Sequence, residues 1–147
     1  MSSIFTKIIA GEIPGNFVWA DEQCVAITTI EPCSPGHVMV IPRLEVDNFV
    51  DADPALIQHL FTVAQTIGKA AVSAFGVARA GIVVAGFDVP HLHIHVIPAD
   101  TMGDMNMIGV KMGEGEAIRA AALRLRAALV DGGHGAFVPA DVSAAAL

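Results

Sequence analysis

The segment His91-Leu92-His93-Ile94-His95-Val96-Ile97 places three of the chain's six histidines within five residues. Read as a strand of period two, it turns three imidazoles to one face and Leu92, Ile94 and Val96 to the other. Successive histidines then sit about 6.8 Å apart and the outer two about 13.5 Å. Three chemistries fit such a row. The plainest is a solvated polar face. Histidines two residues apart can also share a Zn²⁺ at about 2.0–2.1 Å, with His37 as a further nitrogen, although no cysteine or carboxylate is plainly placed to complete the set. A central imidazole can instead attack phosphorus while its neighbours orient it and donate to the developing charge. That chemistry suits phosphoryl or nucleotidyl transfer, because a phospho-imidazole is an intermediate that water can open.

The elements that must hold this row follow from local pattern. Ser3 to Ala10 reads as a short helix stopped by Gly11. Phe17 to Asp21 and Cys24 to Thr29 read as strands paired across an acidic turn, and His37 to Ile41 as a strand closed by Pro42. Asp53-Pro54 is a helix start and Gly76 a stop after Phe75, which predicts a helix of roughly 22 residues and ~33 Å. Ala80 to Phe87 and His91 to Ile97 read as the last two strands. The fold class is therefore α+β: an antiparallel sheet of about five strands, one long helix and a short amino-terminal helix. Residues 1–100 are expected to form the domain that carries the histidines. Residues 101–147 are read as an extension packed on it, with one helix at about 114–130 and a loosely ordered tail. On the long helix, Ile57, Phe61, Ala64, Gly68, Ala71 and Phe75 form a second apolar stripe beside the one facing the sheet, which predicts a homodimer.

Composition removes other functions. Hydrophobic residues make up 54% and charged residues 16%, so the chain has the apolar content of a folded domain. Eight basic against fifteen acidic residues give a net charge of −7, which offers no footprint for nucleic acid or an anionic membrane. The longest apolar run, Ala80 to Phe87, is too short to span a bilayer. The start Met1-Ser2-Ser3-Ile4 lacks a signal-peptide pattern, and a cytoplasmic location is expected. Cys24 and Cys33 have no Cys-x-x-Cys spacing, so neither redox chemistry nor a thiolate zinc site is indicated.

The histidine row resembles the His-φ-His-φ-His-φ-φ signature of the histidine triad (HIT) superfamily. The resemblance extends through Ile4-Phe5-Thr6-Lys7-Ile8-Ile9, Glu12-Ile13-Pro14, the acidic turn, and Pro35-Gly36-His37-Val38-Met39-Val40-Ile41-Pro42. It covers about residues 3 to 98 and is closest to the Hint-like branch. It implies a nucleotide hydrolase or transferase that attacks the α-phosphate of nucleoside phosphoramidates or dinucleoside polyphosphates. His93 would be the nucleophile and carry a nucleotidyl group, His95 would contact phosphate and leaving group, and His91 and His37 would orient the rings. Phe5, Ile8, Ile27, Thr28, Thr29, Ile30 and Met39 would surround the nucleoside, with Asp88 and Val89 beside the phosphate. The implied partner is a small-molecule nucleotide, with no cofactor.

Departures from that pattern cluster at the ligand. Thr29 stands where the branch carries an aspartate for the ribose, and Ala80, Phe87 and Asp88 stand where it carries phosphate-binding asparagine, glutamine and hydroxyl donors. Ala99 follows Pro98 where a basic residue is usual. Ser2 and Phe5 replace the cysteine pair of zinc-binding members, so no metal is expected. The alternative is a nucleotide-binding or scaffold protein on the same fold with weak or lost catalysis.

Overall fold

The computed structural model describes residues 2–146. The chain runs α1 (Ile4–Ile9), β1 (Phe17–Ala20), β2 (Cys24–Thr28), β3 (Val38–Pro42), α2 (Pro54–Phe75), β4 (Arg79–Val83), β5 (Ile94–Ala99) and α3 (Gly115–Leu129). Local chemistry sets the helix ends. Ser3 Oγ accepts the Thr6 N–H at 3.1 Å to cap α1. Asp53 Oδ1 accepts the Ala55 N–H at 2.9 Å, with Pro54 at the first helical position of α2. At its far end Gly76 turns left-handed with φ 64°, a conformation open to glycine.

All strand pairs are antiparallel, in the order β1-β2-β3-β5-β4. Both faces of the sheet are covered. On one, Ala26, Val38, Val40, Ile94 and Val96 pack with Leu60, Val63 and Ile67 of α2 and Leu125 and Leu129 of α3. On the other, Ile27, Met39 and Ile41 pack with Phe5 and Ile8 of α1. Each such buried side chain contributes roughly 1.5–3 kcal/mol of transfer free energy.

Two strand boundaries differ from expectation. β4 ends at Val83 rather than Phe87, and β5 begins at Ile94 rather than His91. Between them, Gly86 takes φ 80° and the His91 N–H turns back to the Val89 carbonyl at 2.8 Å. Leu92 N–H bonds to the Val46 carbonyl at 2.7 Å, outside the sheet ladder. His91 and His93 therefore precede the strand and only His95 lies on it. The alternation itself survives, since Leu92, Ile94 and Val96 all enter the helix-bearing core.

The second stripe of α2 is largely covered within the chain. Ala64 and Ala71 are buried, and Gly68 faces Ala80 closely enough that a Cβ there would sit 3.1 Å from the Ala80 Cβ. Phe75 lies under Arg124, whose guanidinium carbon is 5.4 Å from the ring centroid. What stays open is a groove of about 740 Å³ between Phe61, Gln65, Lys69 and Val72 of α2 and Ile82 of β4.

The extension after β5 returns along the opposite edge. Arg126 of α3 donates to the Phe17 carbonyl at 2.6 Å and to the Pro139 carbonyl. Phe17 N–H bonds to the Val142 carbonyl at 2.7 Å, and Arg43 donates to the Ala145 carbonyl at 3.2 Å. Both backbone groups of Phe17, at the start of β1, are thus engaged by the chain's own carboxy-terminal extension.

Gly36 sets the entry to β3 and to His37. It holds φ 89° directly beneath the Phe75 ring, where a Cβ would collide with ring carbons. Gly36→Ala is expected to lower unfolding free energy by about 1–3 kcal/mol through the left-handed backbone and the displaced ring. Urea denaturation checks this; an unchanged midpoint contradicts it.

Candidate active site

Four buried imidazoles meet where the 91–93 segment, β5 and the start of β3 converge: His91, His93, His95 and His37. Their protonation follows from which partners can only accept or only donate. His91 Nε2 lies 2.8 Å from the Pro42 carbonyl, so Nε2 carries the proton. His91 Nδ1 is then an acceptor, and the Ser3 hydroxyl at 2.6 Å donates to it. His93 Nδ1 lies 2.7 Å from the His91 carbonyl, which again can only accept. Nδ1 of His93 therefore holds the proton and Nε2 keeps a bare lone pair.

The second half of the cluster reads the same way from the other end. The Cys33 N–H donates to His37 Nδ1 at 3.0 Å, so His37 is protonated on Nε2. That Nε2–H donates to His95 Nδ1 at 2.9 Å. His95 must then carry its proton on Nε2. The His93 and His95 rings are 4.9 Å apart at 71°. Two backbone groups, the His91 carbonyl and the Cys33 amide, thus leave one ring with a bare Nε2 and its neighbour with an Nε2–H.

Burial reinforces this assignment. It pushes His95 down to about 4 and His37 to about 3, with the facing imidazole adding to each shift. Burial also holds His93 below 6.5, against the opposing pull of the His91 carbonyl and the Asp88 carboxylate. At neutral pH His37, His93 and His95 are therefore uncharged.

The expected nucleoside residues divide into groups. Phe5 lies edge-on to His93 at 5.0 Å and to His91 at 5.8 Å. It shares one apolar cluster with Ile8, Ile27 and Met39, against which Val89 packs. Met39 is the cross-strand partner of His95, which puts this cluster beside the rings. Thr28 is paired with Val38, on the helix-bearing side, and accepts from Asn16 at 3.3 Å. Thr28 and Thr29 line a cavity of about 330 Å³ with Pro32, Ser34, His37 and Ala117. Ile30 is 61% exposed. Asp88 is exposed on the 84–90 loop, beside Phe87, which is 96% exposed.

Residues absent from the sequence expectation also shape the site. Ser3, Pro42 and Cys33 supply the hydrogen bonds that fix the tautomers, two of them through backbone atoms that no side-chain pattern reveals. From sequence alone Ser3 reads only as the first residue of the short helix. Among the described residues, Asp21, Cys24 and His59 bring metal-ligand chemistry together, with donor atoms within 4.8 Å of one another. However, Asp21 Oδ2 already meets Trp19 Nε1–H at 2.9 Å and His59 Nε2 at 2.8 Å. Burial and the Asp21 charge push the Cys24 thiol up, which keeps the proton on sulfur. The trio ties α2 to the β1–β2 turn.

Comparison with known proteins places this arrangement. The HIT domain family matches residues 10–102, more than half of the chain. An adenylylsulfatase of Arabidopsis thaliana is 32% identical over 100 residues, 65% of this chain and 51% of its own length, so the chain spans about half of that relative. The crystal structure of a Hit-like protein from Bartonella henselae, described as involved in cell-cycle regulation, superposes with a TM-score of 0.74 at 32% identity, covering 87% of this chain and 96% of that one. A histidine triad nucleotide-binding protein from Sulfolobus tokodaii gives a TM-score of 0.75 at 27% identity, covering 86% and 91%.

Proposed function

This chain belongs to the HIT domain family, and from that premise we propose that it is a nucleotide hydrolase or transferase working through a nucleotidyl-histidine intermediate. The observation that carries the reading is the pair of fixed tautomers: a bare Nε2 on His93 beside an Nε2–H on His95. In the proposed cycle His93 Nε2 attacks the α-phosphorus in line with the leaving group. The phosphorus–nitrogen bond to His93 forms as the bond to the leaving amine or phosphate breaks, and the His95 Nε2–H stabilises or protonates the departing atom. Water then attacks the same phosphorus and gives a proton to His95 Nε2, replacing the one passed to the leaving group, while the phosphorus–nitrogen bond breaks to release the nucleoside monophosphate and restore the His93 lone pair. The apolar cluster of Phe5, Ile8, Ile27 and Met39 supplies the wall against which base and ribose rest, whereas Thr28, on the helix-bearing side of the sheet, lines the cavity beside His37 together with Thr29.

Nucleoside phosphoramidates are the favoured substrates over dinucleoside polyphosphates. Asp88 and the exposed Phe87 flank the triad in place of phosphate donors, and a carboxylate suits an amine that gains positive charge as it leaves. Mass spectrometry of the intact chain after mixing with an adenosine phosphoramidate tests the reading. A mass increase of one nucleotidyl group on His93 supports it. Nucleotide binding with neither adduct nor product release supports the scaffold reading, which the missing donors at Ala80, Phe87 and Asp88 favour.

The working unit in this reading is a homodimer. β4 is an edge strand without a second partner among the described residues, and the groove beside it is lined by Phe61, Val72 and Ile82. A two-fold copy of this chain would cover both edge and groove. Light scattering at micromolar concentration should return twice the chain mass; a monomer there refutes the pairing.

A further inference from the structure

Glu45 appears in no pattern of the sequence, yet its carboxylate organises the start of α1. One oxygen, Oε1, accepts the Ser3 N–H at 2.6 Å and the Thr6 hydroxyl at 2.7 Å. Ser3 Oγ in turn accepts the Thr6 N–H at 3.1 Å and lies 2.6 Å from His91 Nδ1. The His91 carbonyl then holds His93 Nδ1 at 2.7 Å. The strap that carries Glu45 meets the triad segment at two more points. Pro42 takes the His91 Nε2–H, and the Val46 carbonyl takes the Leu92 N–H.

We propose that Glu45 is a positioning residue for the triad, acting through Ser3 and Thr6 to hold His91, and through the His91 carbonyl the His93 tautomer, in the form that attacks. The proposal rests on the nucleotidyl-transfer reading of His93 and goes beyond it. α1 has only six residues, too few to stay helical by itself, so its place over the rings depends on what pins its first turn. Three hydrogen-bonding groups of that turn, the Ser3 N–H, the Thr6 hydroxyl and the Thr6 N–H, are engaged by this network. Phe5 follows immediately and forms the wall against His91 and His93. Without the carboxylate, Ser3 loses the group that fixes its backbone, and its hydroxyl is no longer held on His91 Nδ1. The charge itself is secondary: both bonds reach a single oxygen, which an amide also presents.

The experiment uses Glu45→Ala and Glu45→Gln in the full chain, read by nitrogen–proton NMR of the imidazoles and by the rate of His93 nucleotidylation from an adenosine phosphoramidate. The intact protein should show His93 protonated on Nδ1 and His91 on Nε2. In Glu45→Ala the His93 signals should move toward a mixture of tautomers, and the nucleotidylation rate should fall about tenfold or more with KM within a few-fold. Glu45→Gln should keep both tautomers and a rate within about threefold, because Oε1 still accepts both donors. Unchanged tautomers in Glu45→Ala overturn the proposal, and so does a Glu45→Gln variant as impaired as Glu45→Ala. An intact protein with the expected tautomers that never forms the adduct would instead defeat the nucleotidyl-transfer reading, leaving the positioning role to be decided by the NMR comparison alone.

Discussion

His93→Ala is expected to lower nucleotidyl transfer by about 10⁴-fold or more, the scale seen when a covalent centre loses its nucleophile. No other group can substitute. His95 presents an N–H, since its Nδ1 is occupied by His37, and His91 has both nitrogens engaged. The ring is 7% exposed and packs on Phe5, so its removal also costs stability, about 1–3 kcal/mol by analogy with other buried truncations. His93→Asn, closer in volume, separates the two effects: it should fold with a smaller stability loss yet remain equally inactive. Single-turnover assays at saturating phosphoramidate give the measurement. Activity in either variant within tenfold of the intact protein would place the nucleophile elsewhere.

Acid should unfold this protein in a window set by its histidines. An unfolded histidine takes up a proton near 6.5, whereas burial holds His95 near 4, His37 near 3 and His93 below its ordinary value. Between those limits the unfolded chain binds more protons than the folded one, so stability falls as pH falls from about 6.5 toward 4. His95 alone corresponds to a loss of order 3 kcal/mol at the bottom of that window. Asp21 and Glu45 contribute only at lower pH. Hydrogen bonds to Asp21 overcome the burial that opposes them, and Ser3 and Thr6 hold Glu45 at about 2. Urea midpoints measured between pH 7 and pH 5.5 read the histidine window with little from the carboxylates. A flat profile over that range would show the rings protonating freely in the folded state. Activity should follow a similar limb, since a protonated His93 has no lone pair to offer phosphorus.

The parts of this site that were legible in the sequence are those expressed as side-chain type and spacing. The long helix could be bounded to the residue because Asp53, Pro54 and Gly76 are local signals with local causes. The alternation of Leu92, Ile94 and Val96 placed the histidines on the correct side of the core. Spacing alone did not give the ring geometry, however, because it assumed a regular strand through His91, whereas the strand starts at Ile94 and the His93 and His95 rings lie 4.9 Å apart. The actual backbone leaves the ladder to bond with Val46 and Val89, carbonyls that have no sequence signature. The bonds that fix the His93 and His95 tautomers were hidden for the same reason, since they come from the His91 carbonyl and the Cys33 amide. The second stripe of α2 is only partly accounted for by the chain itself, since Phe61 stays 37% exposed beside the open groove. Apolar periodicity reports that a face is dry without saying what dries it, and here Ala80 meets Gly68 while α3 and Phe75 meet through Arg124.

The carboxy-terminal segment that lies along β1 has a bearing on solubility. A sheet with two bare edges can add strands at both ends and polymerise into a ribbon. In this sheet the Val142 carbonyl and the Arg126 side chain engage the Phe17 backbone groups on one edge, which obstructs strand addition there, whereas β4 has no second partner among the described residues. The two-fold pairing proposed through β4 would use up that edge in both copies and stop at two chains. In that arrangement the carboxy-terminal segment would act as a chain terminator in the polymer sense, holding one end of an apolar sheet apart from fibrous growth.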